Sequence, residues 1–245
     1  WLCHCCRFSR TIAARRGTGP AARIRRDGPD HEAEAALAVV EQALGAKRGP
    51  EPRGYELFPS AADVARAEAL LAEAGVGPGD VLVGCHMGCN RVARRGWRFW
   101  KPATHPKAWP LERFLALGPE LARARPGLRL VLTGSPGERD LGRRMLRASP
   151  GAVDLIGRTS VAELHAVARR VHVFLTADTG PLHVACAAGV PVVALFGATP
   201  VSRFGPWPPR ADRVVLEADP VSSIPVAAVR DAVLAQLAAA APDGE

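Results

Sequence analysis

The sequence predicts an α/β fold built on a parallel sheet, and three observations carry that prediction. From Val81 onward, short apolar runs alternate with longer stretches of helical period. Glycine and proline punctuate the joins between them. The apolar runs are almost continuous rather than alternating with polar residues, as strands buried on both faces require. Repeated strand-then-helix units of this length make a parallel sheet with helices on both sides, and its crossovers should be right-handed.

Each element has its own reason. Residues 1–30 are rich in Arg and Gly and show no period. His31 to Leu44 reads as a helix closed by Gly45, with Ala35, Leu37, Val40 and Leu44 available for one face. Residues 46–58 hold Gly49, Pro50, Pro52 and Gly54, a linker-like loop. Ser60 caps a second helix to Ala74, stopped by Gly75 and Gly77. Val81 to Cys85 is a short buried strand, and residues 86–108 form a long loop rich in Arg, Trp and Pro. A helix from Pro110 to Arg125 follows, with proline in its first turn. Leu128 to Leu132 is a strand ending at Thr133-Gly134, and Glu138 to Ala148 a helix. Val153 to Ile156 is a strand, and Ser160 opens a helix to Arg170 with Glu163 completing a capping box. Val171 to Leu175 is a strand, Pro181 to Ala188 a helix closed by Gly189, and Pro191 to Phe196 another strand. Val214 to Leu216 is the last strand and Val226 to Ala240 the C-terminal helix.

The 245 residues suffice for one large domain or two small ones, and 48% apolar with 23% charged is ordinary for a globular protein. The net charge of +8 fits an acidic partner. It also fits mere composition, because Lys occurs only at 47, 101 and 107 while Arg, Ala, Gly and Pro abound. No basic run interleaves with aromatics, so no nucleic-acid partner is expected. Cys3, Cys5, Cys6, Cys85, Cys89 and Cys186 match no usual structural zinc spacing, and reduced thiols with no metal are expected. No apolar run is long enough to span a bilayer.

Ligands of such sheets sit beyond the carboxyl ends of the strands, so the turns there carry the chemistry. The fourth strand runs into Asp178-Thr179-Gly180-Pro181 and then a helix. The first N–H groups of a helix are unpaired and its dipole favours an anion, which suits a phosphorylated ligand. Thr179 and Gly180 would offer backbone N–H groups to a diphosphate, and His183 follows on the same helix. Asp178 is either a ligand contact or a simple helix cap. In Thr133-Gly134-Ser135-Pro136-Gly137-Glu138, Glu138 either accepts hydrogen bonds from a ribose diol or complements the helix dipole. Thr159, after the third strand, could line a base pocket. Lys107 precedes a helix, where the dipole disfavours it and a bound phosphate would explain it.

Lys107-x-Trp109-Pro110, the Gly134…Glu138 loop, Asp178-Thr179-Gly180-Pro181-x-His183-x-Ala185 and Pro191-Val192-Val193-Ala194-Leu195-Phe196-Gly197 occur in that order. Together they resemble glycosyltransferase family 9, the ADP-heptose:lipopolysaccharide heptosyltransferases, over roughly residues 75–240. The resemblance implies a GT-B fold of two Rossmann-like domains. On that basis residues 59–245 are the nucleotide-sugar-binding domain, and residues 1–58 a remnant of the N-terminal acceptor domain with its linker. It also implies an inverting, metal-independent and cofactor-free transfer of heptose from ADP-heptose to the lipopolysaccharide core. Lys107 would pair with the diphosphate, Glu138 hold the ribose, Asp178 sit beside the donor sugar, and Thr179, Gly180 and His183 hold the diphosphate end. The family's opening strand, Gly-rich loop and general-base Asp are not found in these residues, so a truncated chain of little or no activity is expected. The Arg- and Trp-rich loop 86–106 either touches an anionic acceptor or is an inconsequential insertion. The expected setting is cytoplasmic, a monomer at the inner face of the cytoplasmic membrane. The alternatives are transfer from another nucleotide-sugar and a nucleotide-binding module without turnover.

Overall fold

The computed structural model describes residues 31–45, 54–88 and 108–240. They fall into two compact units. One holds residues 31–45 with Pro200–Gly205, and the other holds the remainder.

In the smaller unit, helix α1 (Glu32–Leu44) starts at His31, whose Nδ1 accepts the Ala33 N–H at 3.2 Å. The His31 Nε2 then donates to the Gly205 carbonyl at 3.1 Å. Gly45 closes the helix at φ 64°, a left-handed conformation that glycine adopts without Cβ strain. Arg203 Nε donates to Glu32 at 2.6 Å. The apolar stripe expected along α1 has no buried residue, and Val40 and Leu44 are exposed.

The larger unit is the parallel sheet. Its elements are α2 (Ala61–Glu73), β1 (Val81–His86), α3 (Leu111–Ala124), β2 (Leu128–Thr133), a 3-10 turn (Pro136–Glu138) and α4 (Arg139–Ala148). Then come β3 (Val153–Asp154), α5 (Val161–Ala168), β4 (Val173–Ala177), α6 (Gly180–Ala188) and β5 (Val192–Phe196). After the short α7 (Val201–Phe204) of the smaller unit follow β6 (Arg213–Glu217), a 3-10 turn (Val221–Ser223) and α8 (Val226–Ala240). Every strand pairing is parallel and the order is β3-β2-β1-β4-β5-β6. The chain leaves β1 toward β2 and later crosses to β4 on β1's other side. In open parallel sheets a reversal of this kind marks the crevice where ligands bind, here at the carboxyl ends of β1 and β4.

Alternate strand residues serve opposite faces. Val83, Cys85, Leu130, Leu132, Val173, Leu175, Val193 and Leu195 form one core with Phe114, Leu117 and Leu121 of α3, Met145 of α4 and Val229 and Val233 of α8. The other face carries Phe174, Val131, Val192 and Ala194, which are buried together with Leu70 of α2, Val167 of α5 and Leu182 of α6. Phe174 lies over Gly84, where a methyl group would fall 2.8 Å from Cε2 of its ring. Glycine at 84 is therefore a matter of space: it lets an aromatic ring lie flat on the neighbouring strand.

Several boundaries differ from those expected. Pro110 is the N-cap of α3 rather than its first-turn residue, and Pro119 sits inside that helix. β3 ends at Asp154, because the Asp154 carboxylate takes the Ile156 N–H at 3.0 Å. β4 runs two residues later than the apolar run Val171 to Leu175, and continues through Thr176 to Ala177. The α7 turn and the two 3-10 turns lacked a periodic signal.

Candidate functional site

Three polar residues close the carboxyl ends of β2, β1 and β4. In register across the sheet they are Thr133, His86 and Thr176. All are buried. His86 Nδ1 and Thr133 Oγ1 are 3.2 Å apart. Burial holds the His86 imidazole below the ordinary histidine range, opposed by the negative charge of Glu138 and by a hydrogen bond that the ring donates to the Thr133 backbone carbonyl. A neutral ring therefore sits at the floor of the crevice.

The turn beyond β2 presents Glu138. Its Oε2 accepts the backbone N–H of Ser135 at 2.6 Å and the Ser135 hydroxyl at 2.8 Å. The pair forms a capping box at the 3-10 turn, and Glu138 is only 5% exposed. The local chemistry is thus the reciprocal cap that Ser-x-x-Glu favours. Two of the acceptor positions of the carboxylate are used in this way, and an ionised carboxylate has about four. The neighbouring turn is tied on by Gly157 N–H donating to the Gly134 carbonyl at 2.8 Å. Thr159, half-buried, stands just before Ser160, the N-cap of α5.

On the other side of the crevice, β4 passes into α6. The Asp178 N–H still bonds to the Leu195 carbonyl at 3.2 Å, so the strand geometry persists one residue past β4. Asp178 is half-buried and is not the cap of the helix. The N-cap is Thr179, with extended backbone (φ −145°, ψ 168°) and no side-chain cap hydrogen bond. Its hydroxyl instead turns back to the strand, 3.1 Å from Thr176 Oγ1 and 3.3 Å from the Ala177 carbonyl. The first turn of α6 is therefore left without a cap from Thr179. Pro181 stands in that turn, and Gly180 is exposed with nothing within 4 Å of the place a methyl would occupy. The N-terminal end of a helix dipole attracts an anion.

His183, two residues further into α6, is half-buried. The ring of Tyr55 meets it edge-on at 5.2 Å and meets Trp207 at the same separation. Tyr55 and Trp207 were not singled out from the sequence as site residues. The available signal was slight: Tyr55 is the one tyrosine of the chain and Trp207 follows a Gly-Pro pair.

The structure thus brings Glu138, Thr159, Asp178, Thr179, Gly180 and His183 to the carboxyl edge of one sheet. Lys107 lies outside the described residues, as do Cys3, Cys5, Cys6, Cys89 and nearly all of the Arg- and Trp-rich loop. Burial pushes the Cys85 thiol up to about 12 and raises Cys186 as well, so neither is a thiolate near neutral pH. Among the described residues no three His, Cys, Asp or Glu side chains group as a metal site, and no helix is long and apolar enough to cross a membrane.

Comparison with known proteins speaks to the family and the fold. The family model of glycosyltransferase family 9 (heptosyltransferase) matches residues 96–223. Lipopolysaccharide heptosyltransferase 3 of Escherichia coli is 32% identical over 105 residues, which cover 41% of this chain and 30% of that protein. Among solved structures, a family 9 glycosyl transferase from Veillonella parvula superposes with a TM-score of 0.72 at 23% identity, covering 88% of this chain and 62% of that one. The E. coli ADP-heptose LPS heptosyltransferase II gives 0.61 at 20% identity, covering 78% and 56%. At these identities the structural likeness speaks to the fold, and the chain spans less than two thirds of each of these relatives.

Proposed function

The chain belongs to glycosyltransferase family 9, whose model spans more than half of it, and from that premise we propose that its parallel-sheet unit is the donor-binding part of a heptosyltransferase. Residues 59–245 would form that domain, and residues 1–58 would belong to the acceptor domain and its linker. The donor is ADP-heptose and the acceptor a sugar of the lipopolysaccharide inner core, reached at the cytoplasmic face of the membrane. The observation that carries this reading is the turn from β4 into α6. There Asp178, Thr179 and Gly180 open a helix without a side-chain cap from Thr179, across the crevice from the Glu138 carboxylate.

In the transfer, an acceptor hydroxyl attacks the anomeric carbon and the bond to the ADP oxygen breaks with inversion. Negative charge then grows on the departing diphosphate. Backbone N–H groups of Thr179 and Gly180, the α6 dipole and the Lys107 ammonium would stabilise that charge. Glu138 would hold the ribose diol, Thr159 would line the base pocket, Asp178 would orient the donor sugar and His183 would support the diphosphate. The acceptor-side base would come from the family's first domain, and donor binding is the part of the reaction assigned to residues 59–245.

Calorimetry with ADP-heptose, ADP, UDP-glucose and GDP-mannose tests the reading. The adenine nucleotides should bind best, and EDTA should leave their affinity unchanged. Lys107→Ala should weaken ADP by about 1.5–3 kcal/mol, the worth of a hydrogen bond to a charged group. A preference for another nucleotide would point to a different glycosyl donor. Donor binding without transfer, when an intact acceptor domain is supplied, would make the unit a binding module.

A further inference from the structure

Glu138 is held from a direction that the capping box does not explain. Beyond the end of β1 the chain passes Gly88, and the carboxyl group of Glu138 lies against its bare Cα. A methyl group on Gly88 would fall 2.9 Å from Glu138 Oε2 and nearer still to Oε1 and Cδ. Those three carboxyl atoms are the nearest atoms it would meet. Gly134 approaches from the β2 side, where a methyl would lie 3.0 Å from Oε2. The carboxylate is therefore seated between two glycines and tied at one oxygen to Ser135.

Backbone conformation does not demand glycine at 88, because it is not among the glycines of positive φ. Alanine is allowed there by the backbone and opposed by the carboxyl group. That group is the far end of a flexible side chain, so an added methyl displaces it at small cost to the fold.

We infer that Gly88 is a positioning residue for nucleotide recognition: its bare Cα seats the Glu138 carboxylate so that the remaining acceptor positions meet both hydroxyls of a ribose. The inference rests on the reading of Glu138 as the ribose ligand. It adds that the selectivity for a ribonucleotide with an intact 2′,3′-diol is set from the segment after β1, by a residue that has no side chain.

The test titrates the full chain with ADP and with 2′,3′-dideoxy-ADP, for the wild type, Gly88→Ala, Glu138→Ala and the double variant. The wild type should prefer ADP by about tenfold or more, as loss of hydrogen bonds to a carboxylate implies. Gly88→Ala should erase that preference, leave dideoxy-ADP binding unchanged and keep a cooperative thermal transition. On the Glu138→Ala background the same alanine should change nothing, because the space is vacant. A Gly88→Ala variant that keeps the preference overturns the inference, as does an effect that persists in the double variant. If Gly88→Ala alone fails to fold, the double variant decides: folding like Glu138→Ala supports the seat, and unfolding there too overturns it. A wild type that binds ADP but does not distinguish the two nucleotides removes the ribose reading of Glu138 itself, an outcome separate from the others.

Discussion

Asp178 fits two roles in the sequence, a ligand contact or a helix cap. A carboxylate just before a helix fits capping, but the cap position belongs to Thr179, whose hydroxyl faces the strand. Asp178 stands one residue before that cap and is half-buried. If Asp178 serves the donor sugar, Asp178→Asn should unfold at the wild-type temperature while binding ADP-heptose roughly tenfold more weakly, about the worth of one charge-assisted hydrogen bond. Thermal denaturation and calorimetry on the same sample check both halves. A drop in melting temperature with unchanged affinity would return Asp178 to a structural part. Glu138 was harder to read from sequence. The sequence offered a ribose ligand or a complement to the helix dipole, whereas the structure adds a capping box with Ser135 and a seat on Gly88 that joins residues beyond two different strands. No local pattern reports such a contact.

At the scale of elements, the strongest sequence signals were the local ones. Ser60 with Asp63 and Ser160 with Glu163 both form reciprocal caps where the helices start. The C-terminal helix has the bounds its period suggested. The strands were less legible, since an unbroken apolar run has no internal mark of where pairing begins. β4 starts at Val173 because His172, just before it, is exposed and bonds back to β1. Its N–H meets the Leu82 carbonyl at 2.8 Å and its Nδ1 accepts from the Leu82 N–H at 3.1 Å. β4 then extends over Thr176, which the sheet buries with its hydroxyl satisfied. The same strand pair offers a packing test. Gly84→Ala would force a methyl into the ring of Phe174, and overpacking of this kind costs about 1–3 kcal/mol. Urea denaturation should show that loss with an unchanged slope, and a neutral substitution would mean that Phe174 does not rest on β1.

Across the whole sheet unit, the strand order places the turns after β1, β2 and β4 side by side although they are far apart in sequence. The alternation of elements announced a parallel sheet, but only the order of strands reveals which turns meet. The burial of two imidazoles also becomes a property of the whole molecule. His86 and His165 are both lowered from the ordinary value of 6.5, chiefly by burial. The unfolded chain therefore binds more protons than the folded one once the pH falls below 6.5, and stability drops from there until the folded values are passed. Asp63 and Asp80 act in another window. Hydrogen bonds from Ser60 and from Gly77 respectively lower them from 3.8, so their contribution is intact above that pH and lost as the pH falls further. Melting temperatures measured from pH 7.5 downward should fall first below about 6.5, well above the range in which Asp63 and Asp80 act. A flat profile to pH 5 would mean that water reaches both rings.

The central claim is that the carboxyl edge of this sheet grips a nucleotide diphosphate at the start of α6. A crystal structure of the chain with ADP tests it most directly. The diphosphate should lie within hydrogen-bond distance of the backbone N–H groups of Thr179 and Gly180, with the ribose hydroxyls on Glu138. An ADP bound elsewhere on the molecule, or seated with its phosphates turned away from α6, would contradict the account.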